Sequence, residues 1–185
     1  MFIYDDNFLT EKEIVEIEEM FWSKDLNWVF HKQTQDNNLS HAGVVNTKIK
    51  DVPYFTAMPN NEQQNDLTNN IIKRFCDKHN IQYKNLSRVK FNIQPSTKEG
   101  TTLYPHIDTA DPHLVFLYYV CDSDGDTILY NQTFTGEVLQ QPLSIMQSIT
   151  PKRGAAFVVD GKHFHSITPP KETMLRAVIN ANLEQ

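Results

Sequence analysis

The chain has 185 residues, enough to bury a hydrophobic core without disulfides or a structural metal, and of a size for one domain. Its net charge of −6 argues against a broad basic surface gripping nucleic acid, and its two cysteines, Cys76 and Cys121, lack metal-site or redox spacing and read as buried thiols. No apolar run approaches the roughly 20 residues of a membrane span, and Met1-Phe2-Ile3-Tyr4-Asp5-Asp6 lacks a signal-peptide pattern, so a soluble cytoplasmic protein is expected.

With 11 Phe and 7 Tyr the composition favours strands. In chain order, Phe2–Phe8 reads as an opening strand. Thr10 followed by Glu13 is a capping-box signature, and Ile14, Ile17, Phe21 and Trp22 then recur at helical spacing. The predicted helix covers one face of a sheet and keeps Glu11, Glu16, Glu18 and Glu19 mostly on its solvated side. Asn27–Asn60 has poor periodicity and reads as short strands and loops overhanging a pocket. Asp66–His79 is predicted as a second amphipathic helix, with Asn80 as its stop.

From Ser87 the pattern changes to short runs of β-formers separated by turn residues, the signature of a sandwich or barrel. The predicted strands are Arg88–Gln94, His113–Val120, Thr127–Tyr130, Leu143–Ser148, Ala155–Val159 and Met174–Asn180. Glu99-Gly100, Ser123-Asp124-Gly125-Asp126, Lys152-Arg153-Gly154 and Asp160-Gly161 are the turns between them. No repeat or linker divides the chain, so residues 1–185 read as one domain.

The chemistry concentrates in Tyr104-Pro105-His106-Ile107-Asp108. Residues two apart in an extended segment project to one face, so His106 and Asp108 can share an ion. His163-Phe164-His165-Ser166 offers a distal imidazole, and face parity alone does not choose between His163 and His165. Two histidines and one carboxylate form the facial triad of non-haem iron, which leaves coordination positions open. The His-x-Asp spacing alone also fits a purely structural pair. Arg176 changes that balance, because it stands in the apolar run Met174, Leu175, Ala177, Val178, Ile179, and an arginine in a sheet interior is costly unless it meets an anion. His31, His41, His79 and His113 have no comparable constellation and read as surface or core residues.

These residues resemble the Fe(II)/2-oxoglutarate-dependent oxygenases, and among them the prolyl-hydroxylase-like branch with its short bacterial and viral members. The resemblance spans most of the chain and is specific from about Arg88 to Asn180. The family's His-x-Asp falls on His106 and Asp108. Its arginine follows the distal histidine by ten or eleven residues, which matches His165 and Arg176, whereas His163 is thirteen residues away. Leu117-Tyr118-Tyr119-Val120 is similar to the family's next strand, with Tyr119 the expected contact to the co-substrate and Tyr118 packing outward or under a helix. Gly125-Asp126-Thr127 resembles the family's following turn. Asn92 lies on a strand that lines the family's pocket, although a sheet-face asparagine with solvent or backbone partners is an equal reading, and Tyr130 reads as pocket wall or core.

The resemblance implies a mainly β fold with flanking helices, a double-stranded β-helix or cupin-like jelly roll, with helical support over about residues 10–80 and the core over about 87–182. It implies iron(II) on His106, Asp108 and His165, 2-oxoglutarate on Arg176, Tyr119 and Asn92, dioxygen as oxidant and ascorbate as a candidate reductant. The expected reaction is C–H hydroxylation of a protein, peptide or small molecule, with release of succinate and carbon dioxide. One departure is Val178, where many members carry Ser or Thr to help hold the co-substrate. The competing readings are a non-catalytic cupin-like metal-binding module, a nucleobase-oxidising relative and a metal-dependent hydrolase. The hydrolase would need a further base, and its only candidate is Asp111, which Pro112 marks as a turn residue. Specificity is assigned to loops within Gln33–Asn65.

Overall fold

The computed structural model describes residues 1–32, 52–97, 103–136 and 142–185. Most of the specificity span, with His41, and the Glu99-Gly100 turn lie outside them. Strand β1 (Phe2–Asp5) stops short of the predicted Phe8, because the Asp5 carboxylate accepts from the Asn7 amide at 2.8 Å and turns the chain. Helix α1 (Glu11–Phe21) starts on the predicted capping box, Thr10 and Glu13 each taking the other's backbone N–H. It buries Ile17, Met20 and Phe21, whereas Trp22 caps its C-terminal end and stays 46% exposed. Glu18 is drawn off the solvated face by Arg153, at 2.8 Å.

The Asn27–Asn60 stretch contributes β2 (Val29–His31) and β3 (Tyr54–Ala57). Helix α2 (Glu62–Lys78) begins four residues before the predicted Asp66, because Asn61 caps it by accepting from the Gln64 amide at 2.9 Å. It ends as predicted, with Asn80 in the left-handed region at φ 55°. The remaining strands are β4 (Leu86–Pro95), β5 (His113–Tyr119), β6 (Thr127–Thr133), β7 (Ile145–Ile149), β8 (Ala156–Asp160), β9 (His163–Ile167) and β10 (Leu175–Glu184).

They form a seven-stranded sheet in the order β1-β8-β5-β10-β4-β3-β2 and a three-stranded sheet in the order β7-β6-β9. All pairings are antiparallel. Strand alternation divides the large sheet into two faces. Phe91, Phe116, Tyr118, Val158 and Ile179 point to one side and pack with Phe21, Ile72 and Phe75 of the helices. Val115, Leu117, Tyr119 and Val178 point to the other and meet Leu129 and Ile149 of the small sheet. Tyr118 therefore lies under the helices, as expected, with Phe8 against its ring. The inner positions of β4 and β10 are then Arg88, Lys90, Asn92 and Gln94, and Arg176, Val178, Asn180 and Asn182. These two strands are paired over most of their length, with Arg176 opposite Gln94 and Asn180 opposite Lys90.

Two local devices set the position of these strands. Asp124 accepts from the amides of Lys171, Glu172 and Thr173, which fixes the loop leading into β10, and those bonds together with the Thr173 hydroxyl hold its carboxyl well below the usual range. At the β8–β9 turn, Gly161 has His113 so close that an added Cβ would meet the imidazole at 2.2 Å. His113 is thus a packing residue, as expected.

Candidate active site

His106 joins the small sheet through a single antiparallel bridge to His165 in β9. The two exchange backbone hydrogen bonds, each of 2.9 Å, which sets their side chains next to one another. Asp108, two residues on, shares the face of His106. Ligand atoms of His106, Asp108 and His165 all lie within 4.8 Å of one another, and they form the one such cluster of His, Cys, Asp and Glu among the described residues.

Protonation favours metal binding. Nδ1 of His106 faces the Tyr104 carbonyl at 3.2 Å and Nδ1 of His165 faces the His163 carbonyl at 3.4 Å. A carbonyl only accepts, so both Nδ1 atoms carry the proton and both Nε2 lone pairs are left for a metal. Burial, helped by His106, pushes the His165 imidazole down to about 4. Burial of Asp108 opposes ionisation, but His165, Arg88 and His106 outweigh it and hold the carboxyl well below its usual range. One Asp108 oxygen is tied to Arg88 Nη2 at 2.7 Å, while the other, Oδ2, is buried without a partner. Two free imidazole nitrogens and an orphaned carboxylate oxygen fit a divalent metal, and N,N,O is the donor set of the non-haem iron triad.

His163 stands apart. The β6–β9 ladder pairs Leu129 with His165 but Thr133 with His163, so β6 bulges between them. The displaced His163 donates through Nδ1 to the Tyr130 carbonyl at 2.9 Å. Tyr130 is in the core behind the small sheet, its hydroxyl 2.9 Å from the Ser166 hydroxyl.

A cavity of about 490 Å³ between the sheets reaches all three members of the cluster and Arg176. Arg176 is 3% exposed, has a buried Nε without a partner, and has no carboxylate in ion-pair contact among the described residues. Its Nη2 donates to Thr127 Oγ1 at 2.6 Å. Tyr119 lies under the guanidinium, 5.6 Å from ring centroid to Cζ, and its hydroxyl also donates to Thr127 Oγ1, at 2.8 Å. Burial pushes the Tyr119 phenol up to about 12, so it stays a donor. Thr127 Oγ1 accepts twice, which leaves its own proton to point elsewhere. Asn92 and Val178 line the cavity, as do His31, stacked at 4.6 Å on Tyr54, and the unpredicted Arg88, Lys90 and Thr127. Thr127 was visible only in the Gly125-Asp126-Thr127 turn and as the first residue of the predicted strand that follows, and Arg88 only as the first residue of a predicted strand.

No protein-family model matches the sequence, and no curated protein matches it either. Solved structures do. A 2OG-Fe(II) oxygenase family oxidoreductase from Burkholderia pseudomallei superposes with a TM-score of 0.69 at 12% identity, over 99% of this chain and 84% of that one. A prolyl hydroxylase from Trichoplax adhaerens, in complex with a hypoxia inducible factor peptide fragment, gives 0.63 at 15%, over 99% and 83%. The epimerase SnoN, in complex with Fe3+, alpha ketoglutarate and nogalamycin RO, gives 0.59 at 11%, over 99% and 78%. The chain therefore has the double-stranded β-helix fold of the 2OG-Fe(II) oxygenases, as its motifs imply.

Proposed function

We propose that the chain is an Fe(II)- and 2-oxoglutarate-dependent dioxygenase that hydroxylates a C–H bond of a protein, peptide or small-molecule substrate, with residues 1–185 acting as one domain. The observation that carries this reading is Arg176, a buried cation with no carboxylate in ion-pair contact among the described residues, opening onto the cavity that holds His106, Asp108 and His165. A simple metal-binding module has no use for such a cation, whereas a dicarboxylate co-substrate supplies the missing anion.

His106, Asp108 and His165 would hold the metal through the two Nε2 atoms and a carboxylate oxygen of Asp108. The chemistry that bound iron(II) supplies is activation of dioxygen, one atom going to 2-oxoglutarate as it loses carbon dioxide and becomes succinate, the other to the substrate C–H bond. The chain's own residues bind, orient and exclude water. Arg176 pairs with the far carboxylate of 2-oxoglutarate, and Thr127 donates its remaining proton to it, taking over from the Ser or Thr replaced by Val178. Tyr119 acts from beneath, its hydroxyl holding Thr127 and its ring face supporting the guanidinium. Asn92 adds a polar side chain to the same wall. The Leu117, Val178 and Ile167 walls keep the centre dry, which strengthens each of these polar contacts.

Anaerobic titration with iron(II) and 2-oxoglutarate tests this reading. A weak visible charge-transfer band should appear, followed by succinate when oxygen and ascorbate are admitted. Absence of the band rules the proposal out.

A further inference from the structure

Among the described residues, the cavity has one charged group that the oxygenase chemistry leaves unused. Lys90 projects from β4 on the same face as Asn92 and Gln94, lines the cavity, and is partly buried. It makes no hydrogen bond or ion pair among the described residues. Its strand level is that of Asn180, four residues along β4 from the level shared by Gln94 and Arg176. At the rise of an extended strand that separation is about 13 Å, so Lys90 and Arg176 are anchored at different ends of the cavity wall.

Charge counting sharpens the point. The described walls carry three basic side chains, Arg88, Lys90 and Arg176, against one carboxylate, Asp108. A divalent metal and the dianion of 2-oxoglutarate cancel each other, so a positive excess persists when both are bound. Arg88 is already paired with Asp108 and Arg176 faces the co-substrate, so of the two charges in excess the one on Lys90 has no counter-ion among the described residues. This excess sits in a partly closed cavity of a protein whose net charge is −6. A partly desolvated cation without a counter-ion is unfavourable and selects for an anionic partner.

We propose that the primary substrate carries an oxyanion, a carboxylate or a phosphate ester, that pairs with Lys90 and so aims its reactive carbon at the His106–Asp108–His165 centre. The proposal rests on the oxygenase reading for the role of the site but not for the anion contact itself. The test is calorimetric titration of two forms of the protein, metal-free and loaded with zinc(II), each with saturating 2-oxoglutarate so that Arg176 is occupied in both. The probes are N-acetyl-aspartate amide and glycerol 2-phosphate, with N-acetyl-asparagine amide and glycerol as their neutral counterparts.

One anionic probe should bind on the order of tenfold more tightly than its counterpart, the size of effect one close ion pair produces. The probe that does so identifies the source as carboxylate or phosphate. Lys90→Met should erase the preference and Lys90→Arg should keep it, with 2-oxoglutarate affinity equal in all three proteins. The inference is overturned if wild type shows no preference, or if the preference survives Lys90→Met. It is equally overturned if Lys90→Met weakens 2-oxoglutarate, which would make Lys90 part of the co-substrate site. Because the preference is also read without metal, an absent charge-transfer band sinks the oxygenase reading alone, and a band without anion preference sinks this one alone.

Discussion

The guanidinium of Arg88 does something that none of the three candidate metal ligands can do for themselves. It holds Asp108 Oδ1 at 2.7 Å, the oxygen that also lies 4.0 Å from His165 Nε2, and so fixes the carboxylate beside the imidazoles while Oδ2 is left without a partner. Outer partners of this kind commonly govern metal affinity by about 10–100-fold. Arg88→Ala should weaken binding of iron(II) or manganese(II) by about that factor, measured by competition with a chelating dye, and Arg88→Lys should recover part of it. Two other substitutions separate the roles of the site. His165→Ala should lose metal while His163→Ala keeps it, and Arg176→Ala should keep metal while 2-oxoglutarate affinity drops at least tenfold, by about the 1.5–3 kcal/mol of a charge-assisted bond. Acidification adds a further check. The folded His165 takes its proton only near pH 4, against 6.5 for a free imidazole, so between those values the unfolded chain binds the extra proton. Stability of the metal-free protein should therefore fall as pH drops from 6.5 to 4, on the order of 2–3 kcal/mol by urea unfolding, with a shallower slope in His165→Gln. Of these residues, His106, Asp108 and Arg176 were legible from spacing and from the oddity of a buried arginine. Arg88 and Thr127 were not, because nothing local marks a residue whose partner arrives from a distant part of the chain.

Elements with a strong local signal were found where expected. The capping box, the α1 stripe and the long apolar runs of β5, β8 and β10 each encode their own conformation. The start of α2 was missed because its first turn is all polar and only the Asn61 cap announces it. The bulge in β6 was equally invisible, since it exists only relative to β9, and it is what separates His163 from His165. The turn before β8 shows how closely elements constrain each other. Gly154 has φ +80°, and a Cβ there would lie 2.6 Å from Ile14 Cδ1 of α1. Gly154→Ala should destabilise the fold by about 1–2 kcal/mol from backbone strain alone, read as a lower urea midpoint, while metal affinity of the folded protein is unchanged.

Across the whole molecule, the two sheets meet at the cavity through polar contacts as well as apolar packing. Arg88 of the large sheet reaches Asp108, and Arg176 and Tyr119 of the same sheet both reach Thr127 of the small one. Turn spacing and β-formers indicated a sandwich or barrel, and the oxygenase resemblance implied a jelly roll, but these cross-cavity contacts depend on tertiary geometry that no sequence window contains. They make the site a clasp. A metal held by the small-sheet side and a dicarboxylate reaching Arg176 on the large sheet would fasten the two leaves of a book at its open edge. Ligands at a hundred times their dissociation constant should then raise the melting temperature by about 5–10 °C, from about 2.7 kcal/mol of binding free energy. Arg176→Ala should keep the increment from metal and lose the increment from 2-oxoglutarate. If 2-oxoglutarate is the co-substrate as proposed, such a protein would be hardest to unfold in the cell when 2-oxoglutarate is plentiful, so its abundance would follow that supply as well as its turnover.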